Sequence, residues 1–518
     1  MSGVGTTTPA LVLAAAAQWP DAEALVDGDL RLSFGDLRDA VLQSTRAAIA
    51  AGLQPGDRAA VWAPNMGEWV IAALGVHGAG GAIVPLNTRF KGEEAGYVLG
   101  KSGAKVLFTV QDFLGFDYPA MLDGVDLPAL ERTVVLRSPS WETYLDAAES
   151  VAVEEAEARM AAVTPDDTSD LIFTSGTTGR PKGVMTTHGQ TTRAFEAWSG
   201  ILGLRAGDRY LIVNPFFHTF GYKAGFVAAI LRGATIVPLP VFDVPAVLDL
   251  VSREKITMLP GPPTLFQTIL NHPDRGQYDL SSLRLCATGA AVIPVELVRQ
   301  MRAQLFETVI TAYGLTECTG VATMCRADDD AEIIAHTSGR AIPDVEVRVV
   351  DDANVEVPRA EPGEIVVRGY NVMRGYFDDP EQTAEAIDAD GWLHTGDIGT
   401  MDDGGNIVIT DRKKDMFIVG GFNAYPAEIE SMLLGHDAIA QVAVVGIPDE
   451  RMGEVGMAFV VPKVGAAPTE DEIVAWSREH MANYKAPRRV AFVDALPLNA
   501  SGKVLKHELR ARALKELS

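Results

Sequence analysis

Short apolar runs alternate with longer segments in which apolar residues recur at every third or fourth position through most of the chain. Continuous apolar runs are typical of buried strands, and the wider spacing is typical of helices packed on one face. Strands are predicted at residues 59–63, 81–85, 105–109, 210–214, 235–239 and 256–259, and helices at 34–51, 66–78 and 245–254. Because strands and helices alternate, we predict α/β layers built on largely parallel sheets.

From residue 345 onwards the pattern changes to short strands separated by turn residues, which predicts a small antiparallel or barrel-like β subdomain. The charged run 411–415 is typical of a solvated loop and predicts a domain boundary. Beyond it the pattern predicts a compact α+β unit. We therefore predict a large N-terminal domain of layered α/β sheets, residues 1–411, and a smaller α+β C-terminal domain, residues 412–518. The strands predicted in this half are 345–350, 363–368, 407–410, 416–419, 439–447 and 489–492, and the helices are 427–434, 470–480 and 506–516.

Composition and charge narrow the range of functions. The chain has 518 residues, of which 47% are hydrophobic and 22% charged, a balance typical of globular proteins with two or more domains. Its formal net charge of −25 disfavours nucleic acid and anionic membranes as main partners. Any phosphate site in this chain must therefore be locally positive against the overall charge.

Three features predict a cytoplasmic protein without an integral membrane segment. The apolar stretch 11–17 has no Lys or Arg before it, so it lacks the positive flank of a signal peptide. The longest uncharged run, 70–86, contains Gly, His and Pro and predicts a buried helix that turns into a strand. The spacing of Cys286, Cys318 and Cys325 does not fit a zinc site, and we expect reduced thiols.

The most informative segment is 174–183, Thr-Ser-Gly-Thr-Thr-Gly-Arg-Pro-Lys-Gly, which follows the apolar run 171–173. Glycines let backbone N–H groups wrap an anion, hydroxyls add donors, and Lys182 adds a mobile positive charge. Pro181 fixes its own φ and has no N–H, so this segment differs from the helix-opening Gly-Lys-Ser/Thr loop of many nucleotide-binding proteins. We predict a polyphosphate cradle, and the alternative is a flexible hairpin tip.

Two further segments place small or aromatic residues at predicted strand ends. Residues 214–221, Asn-Pro-Phe-Phe-His-Thr-Phe-Gly, carry the imidazole of His218 among aromatic rings. Residues 286–291 end in Gly289, Ala290 and Ala291, which leave room for a planar base or an acyl chain close to the backbone. The first segment has a structural alternative, a core histidine whose hydrogen bonds are satisfied, and the second is a weak signal by itself.

Three segments carry charged or hydrogen-bonding chemistry. Residues 311–317 offer the ring of Tyr313 for stacking, the hydroxyl of Thr316 for phosphate and the carboxylate of Glu317 for Mg²⁺. Asp397 follows a Gly turn and is suited to the two hydroxyls of a ribose, and Lys503 lies beyond a Ser-Gly turn. The structural alternatives are a helix cap for Thr316, an Asx turn for Asp397 and an exposed solubilising lysine for Lys503.

Together, and in this order, these segments resemble the adenylate-forming family, which contains acyl-CoA synthetases, luciferase and peptide-synthetase adenylation domains. The resemblance covers essentially the whole chain, from Leu32-Ser33-Phe34 to Lys503. It implies an ATP-dependent acyl-CoA ligase that converts a carboxylic acid and ATP into acyl-AMP and pyrophosphate. The acyl group is then transferred to the thiol of CoA with release of AMP. The implied cofactors are ATP, Mg²⁺ and coenzyme A.

The resemblance also implies a role for each matching residue. The 174–183 loop would hold the β- and γ-phosphates, and Lys503 would bridge the acyl carboxylate and the α-phosphate. The implied catalytic residues are Lys503, Lys182, His218, Thr316 and Glu317, and the implied Mg²⁺ ligands are Glu317 and Thr174. The implied nucleotide- and CoA-binding residues are Thr174, Ser175, Gly176, Thr177, Thr178, Gly179, Lys182, Gly289, Ala290, Ala291, Tyr313, Gly314, Thr316, Asp397, Arg412, Lys414, Gly421 and Lys503.

The family rotates its small domain between the two half-reactions, and this implies further roles near the predicted boundary. Lys414 matches the pivot, and Arg412 would add a ribose contact beside Asp397. Gly421 would line the passage of the pantetheine arm, where a Cβ would narrow the tunnel. We therefore expect the C-terminal domain to be mobile about a hinge near Lys414.

Several segments are similar to one subgroup, actinobacterial ligases for a steroid-derived methylhexahydroindanedione propanoate. Relatives restricted to acetate carry Trp where this chain has Gly314, so we expect a larger, neutral and hydrophobic acid. The residues predicted to wall the acyl pocket are Phe216, Phe217, Phe220, Tyr222, Pro262, Pro263 and Leu265.

Alternatives remain open at this point. The first is a CoA ligase for medium- or long-chain fatty acids or for aryl acids. The second is an acyl-AMP ligase that loads a separate carrier protein, and the third is a non-catalytic nucleotide-binding module. The expected partners are the small-molecule acid, ATP and CoA, and a homodimer is compatible with the resemblance.

Overall fold

The computed structural model describes residues 7–174, 181–289, 293–412, 415–419, 422–449, 451–481, 483–498 and 504–517. The chain divides into two compact units. The first comprises Met1–Val347, Val367–Leu393 and Gly404–Asn406, and the second comprises Arg348–Val366, His394–Asp403 and Ile407–Ser518. The β subdomain that the sequence predicts at the end of the first domain thus belongs largely to the second unit. The predicted domain boundary after residue 411 and the predicted mobility of the chain beyond it stay predictions.

The α-helices span Thr8–Gln18, Phe34–Ala50, Gly67–Gly78, Gly92–Ser102, Pro139–Asp146, Val153–Ala162, His188–Leu202, Thr219–Gly221, Ala228–Arg232, Val244–Glu254, Pro263–Leu270, Val295–Gln304, Ala331–His336, Pro380–Ala386, Pro426–Leu433, Glu470–His480 and Lys506–Leu517. Single 3₁₀ turns span Ala120–Leu122, Ala147–Ser150, Arg275–Gln277 and Thr316–Cys318, and a π-helical segment spans Tyr222–Val227.

The strands are β1 Glu23–Asp27, β2 Leu30–Ser33, β3 Arg58–Trp62, β4 Ala82–Pro85, β5 Val106–Thr109, β6 Asp112–Phe113, β7 Phe116–Asp117, β8 Arg132–Val135, β9 Thr168–Thr174, β10 Lys182–Thr187, β11 Arg209–Ile212, β12 Thr235–Pro238, β13 Leu285–Thr288, β14 Thr308–Tyr313, β15 Thr323–Met324, β16 Arg340–Ala341, β17 Val345–Val350, β18 Gly363–Gly369, β19 Gly375–Tyr376, β20 Leu393–Met401, β21 Ile407–Arg412, β22 Phe417–Val419, β23 Phe422–Ala424, β24 Ile439–Asp449, β25 Gly453–Pro462 and β26 Arg489–Phe492.

The first unit is built on sheets whose centres are parallel and whose edges are antiparallel. The largest has seven strands in the order β19-β10-β9-β4-β3-β5-β8, parallel from β9 to β8 and antiparallel at β10 and β19. A second sheet has the order β11-β12-β1-β2, in which only β2 is antiparallel. Met258 makes parallel bridges to Tyr210 and Leu285, so β11 and the parallel pair β13–β14 share one layer. The predicted α/β class is confirmed, although the predicted strand at 256–259 is only this bridge.

The helix Gly67–Gly78 shows how sequence pattern and burial correspond. Every residue in it except Glu68 is buried, and the chain continues into β4, whose four residues are all buried. A helix that is covered on all sides needs no polar face, which explains why its sequence is apolar apart from Glu68 and His77. The predicted buried helix that turns into a strand is therefore confirmed.

A capping box begins the helix Phe34–Ala50. The Ser33 hydroxyl accepts a hydrogen bond from the Asp36 backbone N–H at 3.0 Å, and the Asp36 carboxylate accepts one from the Ser33 backbone N–H at 3.0 Å. These bonds satisfy donors that a helix start leaves unpaired. The Ser33 hydroxyl also donates to the Asp36 carboxylate at 2.7 Å, and this bond, followed by that from the Ser33 N–H, lowers the pKa of Asp36. This local chemistry places the helix start at the predicted residue.

The second unit contains two further sheets. The order β17-β18-β20-β21 forms a four-stranded sheet, most of it within this unit, with β20 and β21 antiparallel. The order β23-β22-β25-β24, with β26 added to β25, forms a mixed five-stranded sheet. Its core includes Phe417, Ile429 and Phe459. The charged loop was predicted to begin at residue 411, which is too early because β21 continues to Arg412. The long strand β25 was not predicted.

The search for membrane spans covered the described residues. Within them, no helix combines the length and the apolar character needed to cross a bilayer.

Candidate active site

The predicted polyphosphate cradle lies on the hairpin formed by β9 and β10. Thr174 is the last residue of β9, Lys182 is the first residue of β10, and the two are paired across the antiparallel strands. The two ends of the loop are thus held side by side at one end of two paired strands. The loop residues Ser175, Gly176, Thr177, Thr178 and Gly179 lie outside the described part of the chain.

The two predicted Mg²⁺ ligands are in contact. The Thr174 hydroxyl donates a hydrogen bond to Oε1 of Glu317 at 3.3 Å. Glu317 belongs to the 3₁₀ turn Thr316–Cys318, and its backbone carbonyl accepts a bond from the Met373 N–H at 2.8 Å. A carboxylate and a hydroxyl are hard oxygen donors, which is the donor type that Mg²⁺ prefers when phosphates supply the rest. The residues present therefore fit a magnesium ion.

Two residues that the sequence did not single out complete this cluster. The Tyr376 hydroxyl donates to Oε1 of Glu317 at 3.1 Å, and the Lys182 ammonium lies 5.0 Å from the centre of the Tyr376 ring. The same ammonium donates a hydrogen bond to Oε1 of Gln382. Neither residue falls in a motif identified from the sequence. Tyr376 is positioned by the pairing of β19 with β10, and Gln382 lies on the helix Pro380–Ala386.

The predicted adenine-stacking residue lies at the end of a parallel strand. Tyr313 is the last residue of β14 and is buried. Gly289 follows β13, the parallel neighbour of β14, so the two residues leave the sheet at the same edge. Such edges at the carboxyl ends of parallel strands are where ligands bind in open α/β sheets. Ala290 and Ala291 lie outside the described residues.

Gly314 has a packing role in addition to the predicted one. A Cβ placed on Gly314 would come within 2.5 Å of the backbone N and Cα of Val321. Any side chain here would require the Val321 backbone to shift, so glycine is needed for this close approach. The expectation that Gly314 simply widens the acyl pocket is therefore incomplete.

His218 and its aromatic neighbours divide into exposed and buried positions. His218 is exposed and caps the short helix Thr219–Gly221, where its Nδ1 accepts a bond from the Phe220 N–H at 3.2 Å. Phe216 and Tyr222 are fully buried, and their ring centres lie 5.5 Å and 6.2 Å from that of Trp69. These two predicted pocket walls are therefore built into the aromatic core of the first unit. Of the other predicted walls, Phe217 and Phe220 are half-buried, Pro263 and Leu265 are buried, and Pro262 is exposed.

The predicted ribose-binding residues belong to the second unit. Asp397 on β20 is buried, and it is the direct cross-strand partner of Arg412 on β21. The turn before Asp397 is held by Glu364, whose carboxylate accepts a bond from the Gly396 N–H at 3.1 Å. The two residues that the resemblance assigns to the ribose are thus neighbours on adjacent strands. The side chain of Arg412 and the residues Lys414, Gly421 and Lys503 lie outside the described part of the chain.

A second lysine contacts the same hairpin from inside the protein. Lys223, on the π-helical segment, lies 3.0 Å from Oδ1 of Asp170 on β9, and both side chains are fully buried. Lys223 also donates to the Thr186 hydroxyl on β10 at 2.5 Å, and that hydroxyl donates to Asp170 at 2.7 Å. Burial lowers the pKa of Lys223, and Asp170 offsets part of this effect.

Comparison with known proteins identifies the family. A model described as the AMP-binding enzyme matches residues 12–377, and a model of the AMP-binding enzyme C-terminal domain matches residues 428–503. The chain belongs to the AMP-binding enzyme family. The predicted family and enzyme class are confirmed, and ATP and CoA follow as its small-molecule reactants.

The family's members include curated relatives that match almost the whole chain. The chain is 52% identical to a 3-[(3aS,4S,7aS)-7a-methyl-1,5-dioxo-octahydro-1H-inden-4-yl]propanoyl:CoA ligase of Rhodococcus jostii (strain RHA1), over 98% of each chain. It is 50% identical to a ligase of the same name from Mycobacterium tuberculosis (strain ATCC 25618 / H37Rv), over 97% of this chain and 98% of the relative.

Solved structures of other AMP-binding enzymes share the fold. One is the ATP-bound MatB of Rhodopseudomonas palustris, with a TM-score of 0.86 and 29% identity over 98% of this chain and 99% of that one. Another is the anthranilate CoA ligase AuaEII in complex with anthranoyl-AMP, with a TM-score of 0.85 and 29% identity over 99% and 98% of the two chains.

Proposed function

We propose that this chain is an AMP-forming acyl-CoA ligase whose acid is the propanoate of a 7a-methyl-1,5-dioxo-octahydroindene. The observation that carries the proposal is the identity of 50–52% with two ligases of that name over nearly their whole length. The contacts among Thr174, Glu317 and Lys182 support it, because they gather a carboxylate, a hydroxyl and an ammonium at one strand end. Such a set suits a polyphosphate with a divalent cation.

In the first half-reaction, an oxygen of the acid's carboxylate attacks the α-phosphorus of ATP. A new bond forms between that oxygen and phosphorus, the bond from the α-phosphorus to the bridging oxygen breaks, and pyrophosphate leaves with the electron pair. We propose that Lys182 holds the departing phosphates. We also propose that Lys503 neutralises the acyl carboxylate and the α-phosphate as they come together. Positioning and charge stabilisation then account for most of the rate acceleration.

In the second half-reaction, the sulfur of CoA attacks the acyl carbonyl carbon. The thioester bond forms, the bond from that carbon to the AMP oxygen breaks, and AMP leaves while the thiol loses its proton. We propose that Gly421 leaves room for the pantetheine arm and that the chain beyond Lys414 moves between the two steps. His218 is proposed to orient the substrate carboxylate, since its exposed ring stands at the start of a short helix.

Nucleotide recognition is proposed to use residues that the resemblance assigns to the adenine, the phosphates and the ribose. Tyr313 would stack on the adenine beside Gly289, and Thr316 would contact phosphate. Asp397 and Arg412, which are cross-strand partners, would hold the ribose hydroxyls.

A magnesium ion would be held by Glu317 and Thr174 together with phosphate oxygens. When bound, it would neutralise charge on the phosphates that leave.

We further propose that the enzyme acts in the cytoplasm, where ATP and CoA are available. The homodimer remains a prediction.

The test is a comparison of acids with purified protein, ATP, Mg²⁺ and CoA. The panel contains the indanedione propanoate, ferulate and a medium-chain fatty acid, because relatives with 34–38% identity are named for the last two. We expect kcat/KM for the indanedione acid to exceed the others by about 100-fold, with AMP and the thioester formed in equal amounts. Preference for another acid would overturn the substrate assignment. Accumulation of acyl-AMP with CoA unchanged would favour the carrier-loading alternative.

A further inference from the structure

Tyr376 is fixed by backbone pairing against the strand that begins with Lys182. It pairs with Val184, which lies two residues after Lys182 on β10. The Phe377 N–H donates to the Gly183 carbonyl at 2.7 Å, one residue after Tyr376 and one residue before Val184. The position of the phenol relative to the cradle is therefore set by main-chain hydrogen bonds.

The phenol hydroxyl and the Thr174 hydroxyl donate to the same oxygen of Glu317. Tyr376 reaches Oε1 at 3.1 Å and Thr174 reaches it at 3.3 Å. Two donors on one oxygen fix the rotation of the carboxylate, and among the described residues they leave Oε2 as the oxygen available to a cation. Hydrogen-bond partners of this kind orient a metal ligand without touching the metal.

The Tyr376 ring also faces the mobile charge of the cradle. The Lys182 ammonium lies 5.0 Å from the ring centre, within the range of a cation–π contact, and donates to the neutral amide of Gln382. One side chain thus contacts both the carboxylate and the lysine. Burial, followed by the neighbouring Glu317 charge, raises the pKa of Tyr376, so the phenol keeps the proton that it donates.

We infer that Tyr376 is a positioning residue of the phosphate-binding end of the site, where its hydroxyl orients Glu317 for a divalent cation and its ring steadies Lys182. The inference rests on the proposed function, because it assumes that Glu317 meets the cation of a bound nucleotide. It assigns no chemical step to the phenol.

The test measures metal affinity directly. Mn²⁺ is titrated by electron paramagnetic resonance in the presence of α,β-methylene-ATP, a nucleotide that cannot form the adenylate. For Tyr376→Phe we expect the Kd of Mn²⁺ to rise about 10-fold, the lower end of the effect of losing a ligand-orienting partner. In a Glu317→Gln background, Tyr376→Phe should have no further effect on that Kd.

Tyr370 provides a matched control. Among the described residues its buried hydroxyl has no hydrogen-bond partner, burial raises its pKa to about 12, and Arg193 lies 4.0 Å from its ring centre. Tyr370→Phe removes a phenol oxygen beside a cation without removing a hydrogen bond, so the Kd of Mn²⁺ should stay within about twofold of wild type.

The outcomes separate the inference from the proposed function. If wild type binds Mn²⁺ with the nucleotide and Tyr376→Phe binds it equally well, the inference is wrong and the proposed site stands. An equal weakening in Tyr370→Phe, or an undiminished effect of Tyr376→Phe in the Glu317→Gln background, also overturns it, because the loss would then be structural. If wild type binds no Mn²⁺ with the nucleotide, the proposed function fails as well.

Discussion

Two lysines meet at the β9–β10 hairpin, Lys182 as part of it and Lys223 packed against it, and they differ in how their charge is compensated. Lys223 is fully buried and is held by the carboxylate of Asp170 and the hydroxyl of Thr186. Lys182, at the end of the hairpin, contacts only neutral groups among the described residues, the amide of Gln382 and the ring of Tyr376. A buried ammonium needs a fixed counter-charge, whereas an ammonium with neutral partners keeps its charge for a ligand. The comparison shows why one lysine belongs to the core and the other to the site.

The buried arrangement extends well beyond the ion pair. Ser169 donates to Asp170 at 2.7 Å, and its backbone carbonyl lies 2.9 Å from Nε2 of His77. The Thr8 hydroxyl lies 2.8 Å from Nδ1 of His77 and 2.8 Å from Nδ1 of His188. These polar groups contact one another in sequence, so the network connects the first helix with the base of the hairpin.

The largest expected effect comes from breaking the buried pair. Asp170→Ala leaves the Lys223 charge without its counter-ion, and we expect the free energy of unfolding to fall by about 3–5 kcal/mol in urea titrations. The double variant Asp170→Leu with Lys223→Met removes both charges and should recover most of this loss. A single variant that costs less than about 1 kcal/mol would show that the pair is not a buried ion pair.

A third lysine, Lys503, is proposed to act in the reaction, so its loss should lower activity and leave stability unchanged. Lys503→Ala should slow acyl-AMP formation by about 10²–10³, by analogy with the loss of one donor to a developing oxyanion. Thioester formation from supplied acyl-AMP and the free energy of unfolding should stay near wild type. Both half-reactions are followed by mass spectrometry of the products. Equal loss of the two half-reactions would contradict the proposed role.

The histidines of the buried network predict an acid sensitivity. Burial lowers the pKa of His77 from 6.5 to about 4, so the unfolded chain takes up a proton in this range and the folded chain does not. The free energy of unfolding should therefore be unaffected by His77 above pH 6.5. It should fall by about 1.4 kcal/mol per pH unit from there to about pH 4. Burial also lowers the pKa of His188, which acts in the same direction. In His77→Gln the slope measured by urea titrations at several pH values should be smaller, and an unchanged slope would exclude His77 as its source.

The smallest expected effect is at the open lysine. Gln382→Ala removes a neutral partner of Lys182 that competes with phosphate oxygens, so KM for ATP should fall by about twofold with kcat unchanged. Steady-state kinetics with varied ATP measure this. A large rise in KM would mean that Gln382 holds Lys182 in its working position and does not compete with the ligand.

Local patterns predicted the elements better than the contacts between them. The helix Glu470–His480 and the strand Arg489–Phe492 have the predicted bounds, because apolar periodicity reports directly on burial. Asp397 and Arg412, which the resemblance assigned together to the ribose, are cross-strand partners. Tyr376 was missed because its role arises from a pairing with Val184 that no local pattern records. Lys223 was missed as a core residue because a lysine is seldom fully buried unless it is paired, and Asp170 lies far away in sequence.

The most direct test of the account is the exchange of labelled pyrophosphate into ATP in the absence of CoA. If the acid attacks the α-phosphorus before CoA takes part, exchange must depend on the indanedione acid and on Mg²⁺ and must proceed without CoA. We expect this result for wild type and its loss in Lys503→Ala. Acid-dependent release of ADP, or exchange that requires CoA, would contradict the mechanism.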